Sequence, residues 1–254
     1  MSSRSVSTLA LTALSSLLLG GCMMSTTLSG SGTLVSLEED LSGFNRIDVG
    51  HAFEVEVRMG SSFSVVLKTD DNVQEHLDVS VKGDTLELDL KGHSYSFENV
   101  TLRAEVTLPE LRGIDLSGAS RAILEGISTS SDFELDLSGA SSLSGDLRAA
   151  DVDADLSGAS RLDLTGGCDA LVLDLSGASS AGLLAFEARD VEVDASGASH
   201  AALHARTVLS VKASGASRVT VAGNPTIRDI DTSGAAHFST TNGHEDGKSD
   251  ERDV

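Results

Sequence analysis

The sequence predicts an all-β fold: a parallel β-solenoid of coils about 19–20 residues long, with a β-rich N-terminal cap. Three observations carry this. The tripeptide Ser-Gly-Ala recurs seven times, with glycines at Gly118, Gly139, Gly158, Gly177, Gly197, Gly215 and Gly234, a near-constant period. Around those glycines, side chains alternate with period two. The composition is also rich in glycine (25) and poor in proline (2) and aromatics (7 Phe, 1 Tyr, no Trp), while 40% hydrophobic residues suffice for a core.

The alternation decides between strand and helix. Four and two positions before each glycine, and four and six after it, every residue is apolar except Thr232, Gly145 and Thr240. One and three positions before, and three after, none is apolar. A helix would instead repeat at three and four. Each unit therefore reads strand, Ser-Gly-Ala-Ser corner, strand, second corner. One coil cannot bury its apolar side alone, but stacked coils bury it and pair each backbone group with the coils above and below. Glycine accepts the conformation that a tight corner demands. The crossover rule for parallel strands predicts a right-handed winding.

The remaining segments follow in chain order. Arg4 is the only charge before Glu38. The apolar run Leu9–Leu19 is too short to span a bilayer, which takes roughly 20 residues. Residues 1–21 thus read as an export signal. The run ends Leu19-Gly20-Gly21-Cys22, which resembles the bacterial lipobox, and Cys22 is the expected acylated residue. The alternative is an ordinary signal peptide with an incidental cysteine. Met23, rather than aspartate, follows the cysteine and points to the outer membrane, facing either the periplasm or the cell exterior. Residues 22–40, rich in Ser, Thr and Gly, read as a flexible tether. Within residues 41–110 the stretches Phe44–Val49, Phe53–Met59, Phe63–Thr69, Leu77–Lys82, Thr85–Leu90 and Leu102–Leu108 alternate as strands. A helical turn fits Asp70–His76 and a hairpin fits Lys82-Gly83-Asp84-Thr85. This stretch is expected to open and cap the solenoid within a single domain, 41–240, whose Ser-Gly-Ala repeats occupy 111–240. Residues 241–254 are expected to form a disordered, charged tail.

The opening Gly43-Phe44-Asn45-Arg46-Ile47-Asp48-Val49, the step Thr107-Leu108-Pro109-Glu110-Leu111 and the iterated Asp-Leu-Ser-Gly-Ala-Ser resemble the head GIN domain family, known as autotransporter-adhesin heads. The resemblance covers roughly residues 40–240. It implies a β-helical exported or lipid-anchored protein with no recognised catalysis, and so no catalytic residue to carry over.

Charge excludes one class of function. Lys+Arg is 18 and Asp+Glu is 39, a net −21, which is unsuited to contacting phosphates. Nucleic acid is therefore not an expected partner. Two outward rows are the candidate interaction ladders. One is Asp115, Asp136, Asp155, Asp174, Asp194 and, beyond Lys212, Asp231. The other is Arg121, Arg161, His200, Arg218 and His237, with serines between. Stacked carboxylates at roughly 4.8 Å repel by about 0.9 kcal/mol even in water. Hydration, hydrogen bonds from the adjacent serine hydroxyls and the arginine–histidine row are the expected compensation. Ca²⁺ is the less favoured alternative. No catalytic, cofactor-binding or metal residues are assigned. Seven equivalent serines argue for structure rather than one nucleophile, and Ser-Gly-Ala lacks the glycine that precedes a nucleophile-elbow serine. His200 and His237 lie two coils apart, too far for one zinc ion. Cys168 occupies a position filled elsewhere by small residues and reads as a small hydrophobe.

The functional expectation is a non-enzymatic envelope protein. It would be held to the membrane through its N-terminal lipid and contact an envelope or surface protein or glycan through the solenoid faces. The rivals are a lyase-like enzyme acting on polysaccharide, and a self-associating envelope scaffold or accessory protein. Neither the ligand nor the oligomeric state follows from the sequence.

Overall fold

The computed structural model describes residues 26–91 and 95–241. The expected signal peptide, Cys22 and the tail beyond Thr241 lie outside the described residues.

Alternation produces strands almost throughout. The chain opens with β1 (Thr26–Ser29) and β2 (Leu34–Glu39), then a first coil of β3 (Arg46–Val49) and β4 (Glu54–Met59). Next come β5 (Ser64–Asp70), a 3₁₀ turn Gln74–His76, β6 (Leu77–Lys82), β7 (Thr85–Leu90), β8 (Tyr95–Glu98) and β9 (Leu102–Leu108). The repeats supply β10 (Gly113–Leu116), β11 (Arg121–Ser128), β12 (Phe133–Leu137), β13 (Ser142–Arg148) and β14 (Asp151–Leu156). They continue as β15 (Arg161–Leu175), β16 (Ser180–Ala195) and β17 (His200–Ala213), each running through the second bend. The described residues close with β18 (Arg218–Ala222), β19 (Thr226–Thr232) and β20 (His237–Thr241).

The strands stack as a parallel β-solenoid with two ladders of strands. One runs β7, β3, β10, β12, β14, the C-terminal halves of β15–β17, then β19. The other runs β9, β4, β11, β13, the N-terminal halves of β15–β17, then β18 and β20. Leucine, valine, alanine and isoleucine from both ladders fill the interior, with Phe44, Phe53, Phe133 and Phe186 buried among them.

The first corner keeps its register in every coil. Its glycines have φ between 70° and 75°. A Cβ at Gly139 would lie 2.5 Å from the Gly118 carbonyl oxygen, so the corner excludes other residues by conformation and by contact. The Ala140 and Ala159 N–H groups each donate to the glycine carbonyl of the preceding coil at 2.7 Å. The serine after each of the first six Ser-Gly-Ala tripeptides (Ser120, Ser141, Ser160, Ser179, Ser199, Ser217) is buried, and Ser120 and Ser179 cap the corner by donating to the carbonyl three residues back. Differences in coil length are absorbed at the second bend, as register shifts after Leu124, Asp163 and Leu183. Gly145, one of the three exceptions among the apolar positions, sits at such an irregularity with φ 138, where a Cβ would meet the Leu124 carbonyl oxygen at 2.1 Å.

An eighth corner precedes the seven. His51 (φ 56) occupies the place of the corner glycine, and its carbonyl accepts from Ala119 N–H at 2.7 Å. Residues 60–112 are therefore an insertion between the first coil and the second. They double back to cap the stack. β6 pairs antiparallel with β7, β5 with β9, and β2 with β5. Phe44 and Phe63 pack with ring centroids 5.0 Å apart. The opposite end is open among the described residues: β19 and β20 are largely exposed, with Thr232 and Thr240 at the inward positions.

One expectation is corrected. Residues 26–39 are not a tether. β1 pairs with β8 and β2 with β5, while Leu28 and Leu37 pack on the core. Composition suggested flexibility, but the alternating Val35 and Leu37 and a buried clamp outweigh it. The buried Asp70 carboxylate accepts from Gly32 N–H at 2.7 Å and from Thr101 N–H at 2.8 Å. Beside it, Asn72 donates to the Ser29 carbonyl at 2.8 Å and accepts from Ser31 N–H at 3.0 Å.

Candidate functional site

Register turns the acidic residues of successive coils into a column. Asp48, Asp115, Asp136, Asp155, Asp174 and Asp194 are consecutive partners, followed by Lys212 and Asp231. Glu87 stands below Asp48 and extends the row into the cap. A second outward column, two residues earlier, contains Glu134, Asp153, Val172 and Glu192. The two columns give this face its strongly acidic character.

The serine and arginine parts of the expected compensation are directed elsewhere. The corner serine hydroxyls turn to backbone: Ser117 Oγ donates to the Val49 carbonyl at 3.4 Å and Ser196 Oγ to the Leu175 carbonyl at 3.3 Å. The same carbonyls accept the serines' own backbone N–H groups, Val49 from Ser117 at 2.9 Å and Leu175 from Ser196 at 2.8 Å. Two arginines of the other row, Arg121 and Arg161, pair with carboxylates on their own face. Glu54 bridges Arg103 at 3.0 Å and Arg121 at 3.5 Å, and Arg161 pairs with Asp163 at 2.6 Å. Cations reach the acidic face at its ends and flank: Lys82 holds Glu87, Arg46 holds Glu134 at 2.7 Å and Lys212 holds Glu192 at 3.7 Å.

Desolvation, and after it crowding, raises the affinity of the row for protons. Desolvation, then Asp48 and Asp136, push Asp115 up to about 6. Desolvation and neighbouring carboxylates also raise Asp48, Asp136 and Asp174, and Asp153 in the second column. Arg46 opposes the rise at Asp136 and Lys82 that at Asp48. A shallow groove between the carboxylates and corner serines is lined by Asp155, Asp174, Asp194, Ser157, Ser176 and Ser196. Among the described residues, no three His, Cys, Asp or Glu side chains converge as a metal site would require.

The second ladder forms as expected. Arg121, Ser142, Arg161, Ser180, His200, Arg218 and His237 are consecutive partners, and Arg218 separates the two histidines. Cys168 is half-buried against the core; its thiol donates to the Ala170 carbonyl at 3.2 Å, and burial pushes it up to about 12, leaving no nucleophilic thiolate at neutral pH. The sequence reading missed Asp48, Glu87 and His51. Ile47, Val49, Val55 and Val57 lie four and two before, and four and six after, His51, so the repeat pattern itself could have found this corner. His51 Nδ1 bonds Asp89, and its ring meets Phe97 edge-on at 6.5 Å between centroids.

Residues 43–225 match the family model described as "Putative auto-transporter adhesin, head GIN domain". The chain belongs to this family. Solved structures share the fold of this head GIN domain. A putative adhesin from Bacteroides fragilis is 20% identical with a TM-score of 0.80, covering 84% of this chain and 100% of that one. A putative adhesin from Parabacteroides merdae is 14% identical with a TM-score of 0.65, covering 85% and 99%. A putative lipid binding protein from Parabacteroides distasonis is 16% identical with a TM-score of 0.65, covering 85% and 100%. At such identities the likeness concerns the fold alone. No curated protein matches the chain.

Proposed function

We propose that this head GIN domain is a non-enzymatic, adhesin-like envelope module. It is exported, anchored through lipid on Cys22, and makes contact through its acidic ladder. The observation that carries this reading is the in-register run of carboxylates from Glu87 to Asp194, which has little cationic or serine compensation. A surface of this kind suits a partner that repeats cationic groups. Each contact is weak, and many together give avidity. Family membership and adhesin-named structural neighbours support the same role. So does the near-constant coil length, which leaves the faces flat and without the long loops that wall a catalytic cleft.

The test is binding of the chain from Cys22 onward to whole bacterial cells, at low and high salt. Binding should fall at least tenfold when Asp115, Asp136, Asp155 and Asp174 are all changed to Asn, and should weaken as salt screens the row. Binding that ignores both changes would remove the acidic face from the contact.

A further inference from the structure

The N-terminal segment fixes how such a molecule stands. β1 begins at Thr26, so three residues separate it from Cys22. Four residue steps reach at most roughly 14 Å. Beyond them the chain does not swing free. β1 pairs with β8 over four residues, Asn72 bonds the Ser29 carbonyl and Ser31 N–H, and Asp70 holds Gly32 to Thr101. All these partners belong to the insertion that caps the stack.

We infer that the cap end of the solenoid, with its β1–β8 ribbon and the loop 30–33, rests on the lipid surface, while the coils stand away from it and β19–β20 lie outermost. The inference rests on lipid attachment at Cys22. Two features make upright the favoured posture. The attachment point lies at one end of the body. The second strand ladder, with β5 and β2 added, runs ten steps from β2 to β20, roughly 48 Å, several times the linker. Charge provides the second feature. With residues 1–21 removed the net charge is 17 − 39 = −22. Laying the acidic face along an anionic leaflet would bring its carboxylates within a Debye length of like charge. Standing upright keeps the upper carboxylates beyond it. Both candidate ladders then run outward from the membrane, and among the described residues the last coil, β19–β20, is the part presented farthest from it.

The posture can be measured without relying on biological acylation. The chain from Cys22 onward, carrying Cys168→Ala, is coupled at Cys22 to a maleimide phospholipid. It is then placed on phosphatidylethanolamine–phosphatidylglycerol vesicles bearing a head-group acceptor dye. Donor dyes are attached through a non-natural residue at Glu38 in β2 or at Thr240 in β20, both exposed. The expected result is strong energy transfer from Glu38 and a donor at Thr240 several tens of ångströms farther out. A Gly-Ser insertion between Ser25 and Thr26 should shrink that difference. Equal transfer from both sites would mean a molecule lying on its side and would overturn the inference. Mass spectrometry of the N-terminal peptide from the native host tests acylation separately. An unmodified Cys22 there would remove the anchoring premise while leaving the geometric result to stand or fall on the vesicle measurement.

Discussion

The same side chain is used in opposite ways in the repeats and in the cap. Asp115 stands among like charges, and desolvation, then Asp48 and Asp136, push its carboxyl up to about 6. Asp70 is more deeply buried, yet backbone N–H donors from Thr101 and Gly32 hold its carboxyl below the ordinary range. Depth alone therefore does not set the direction; the groups facing the carboxylate do. The repeats are stabilised by backbone ladders and a small-residue core in spite of their aspartates. The cap is stabilised partly through its aspartate.

The sharpest way to break this contrast is at a repeat corner. Gly158→Ala in the middle of the stack places a Cβ 2.5 Å from the Gly139 carbonyl oxygen, in a left-handed conformation. The loss should be about 4 kcal/mol, combining a left-handed penalty of about 1–2 kcal/mol with backbone displacement in two coils. Urea unfolding would read it. At the cap the equivalent residue is His51, which already carries a Cβ at φ 56. His51→Ala should therefore be far milder, although it also removes the bond to Asp89. Next in size is Asp70→Ala, which strands the Gly32 and Thr101 N–H groups and should lose about 3 kcal/mol. Hydrogen exchange should place that loss in Ser29–Thr33 and around Thr101, leaving the amides of β14–β17 protected.

How well each region could be foreseen follows the same division. The repeats were legible because stacking couples sequence position to space: the recurring glycine fixes each neighbour, and Asp115 through Asp194 fell into line. Within 41–110 the alternation located strands nearly to the residue; Leu77–Lys82, Thr85–Leu90 and Leu102–Leu108 form as expected, and Phe44–Val49 ends at Val49 as β3 does. What could not be read was pairing. Nothing local says that β2 turns antiparallel onto β5, or that Asp70 finds Gly32 from so far along the chain, because an insertion lacks the periodicity that locates partners. The serine hydroxyls were misjudged for a similar reason. Their carbonyl acceptors belong to the coil below and are invisible in any single repeat.

The smallest predicted effect is the most diagnostic of the acidic row, because its sign is opposite to ordinary acid denaturation. Above about 6, Asp115 is ionised whether the chain is folded or unfolded, and the folded state bears the whole repulsion. As pH falls through that value toward the ordinary 3.8, the folded state takes up protons first, so stability rises. Below 3.8 both states are protonated at this position and the gain no longer changes. Asp70 has the opposite sign: its depressed carboxyl contributes stability above its ordinary value and loses it as pH falls below. The melting temperature should therefore climb from neutral pH into the window between about 6 and 3.8, then drop on the acid side. Asp115→Asn should raise stability by about 1 kcal/mol at neutral pH and low salt, the order of two water-screened repulsions reduced by counterions. It should flatten the climb without touching the acid limb, whereas Asp70→Asn should flatten the acid limb alone. High salt should mimic the first variant. A melting temperature that falls steadily from neutral pH downward, in wild type and Asp115→Asn alike, would mean that the row is compensated by groups other than those that face it here.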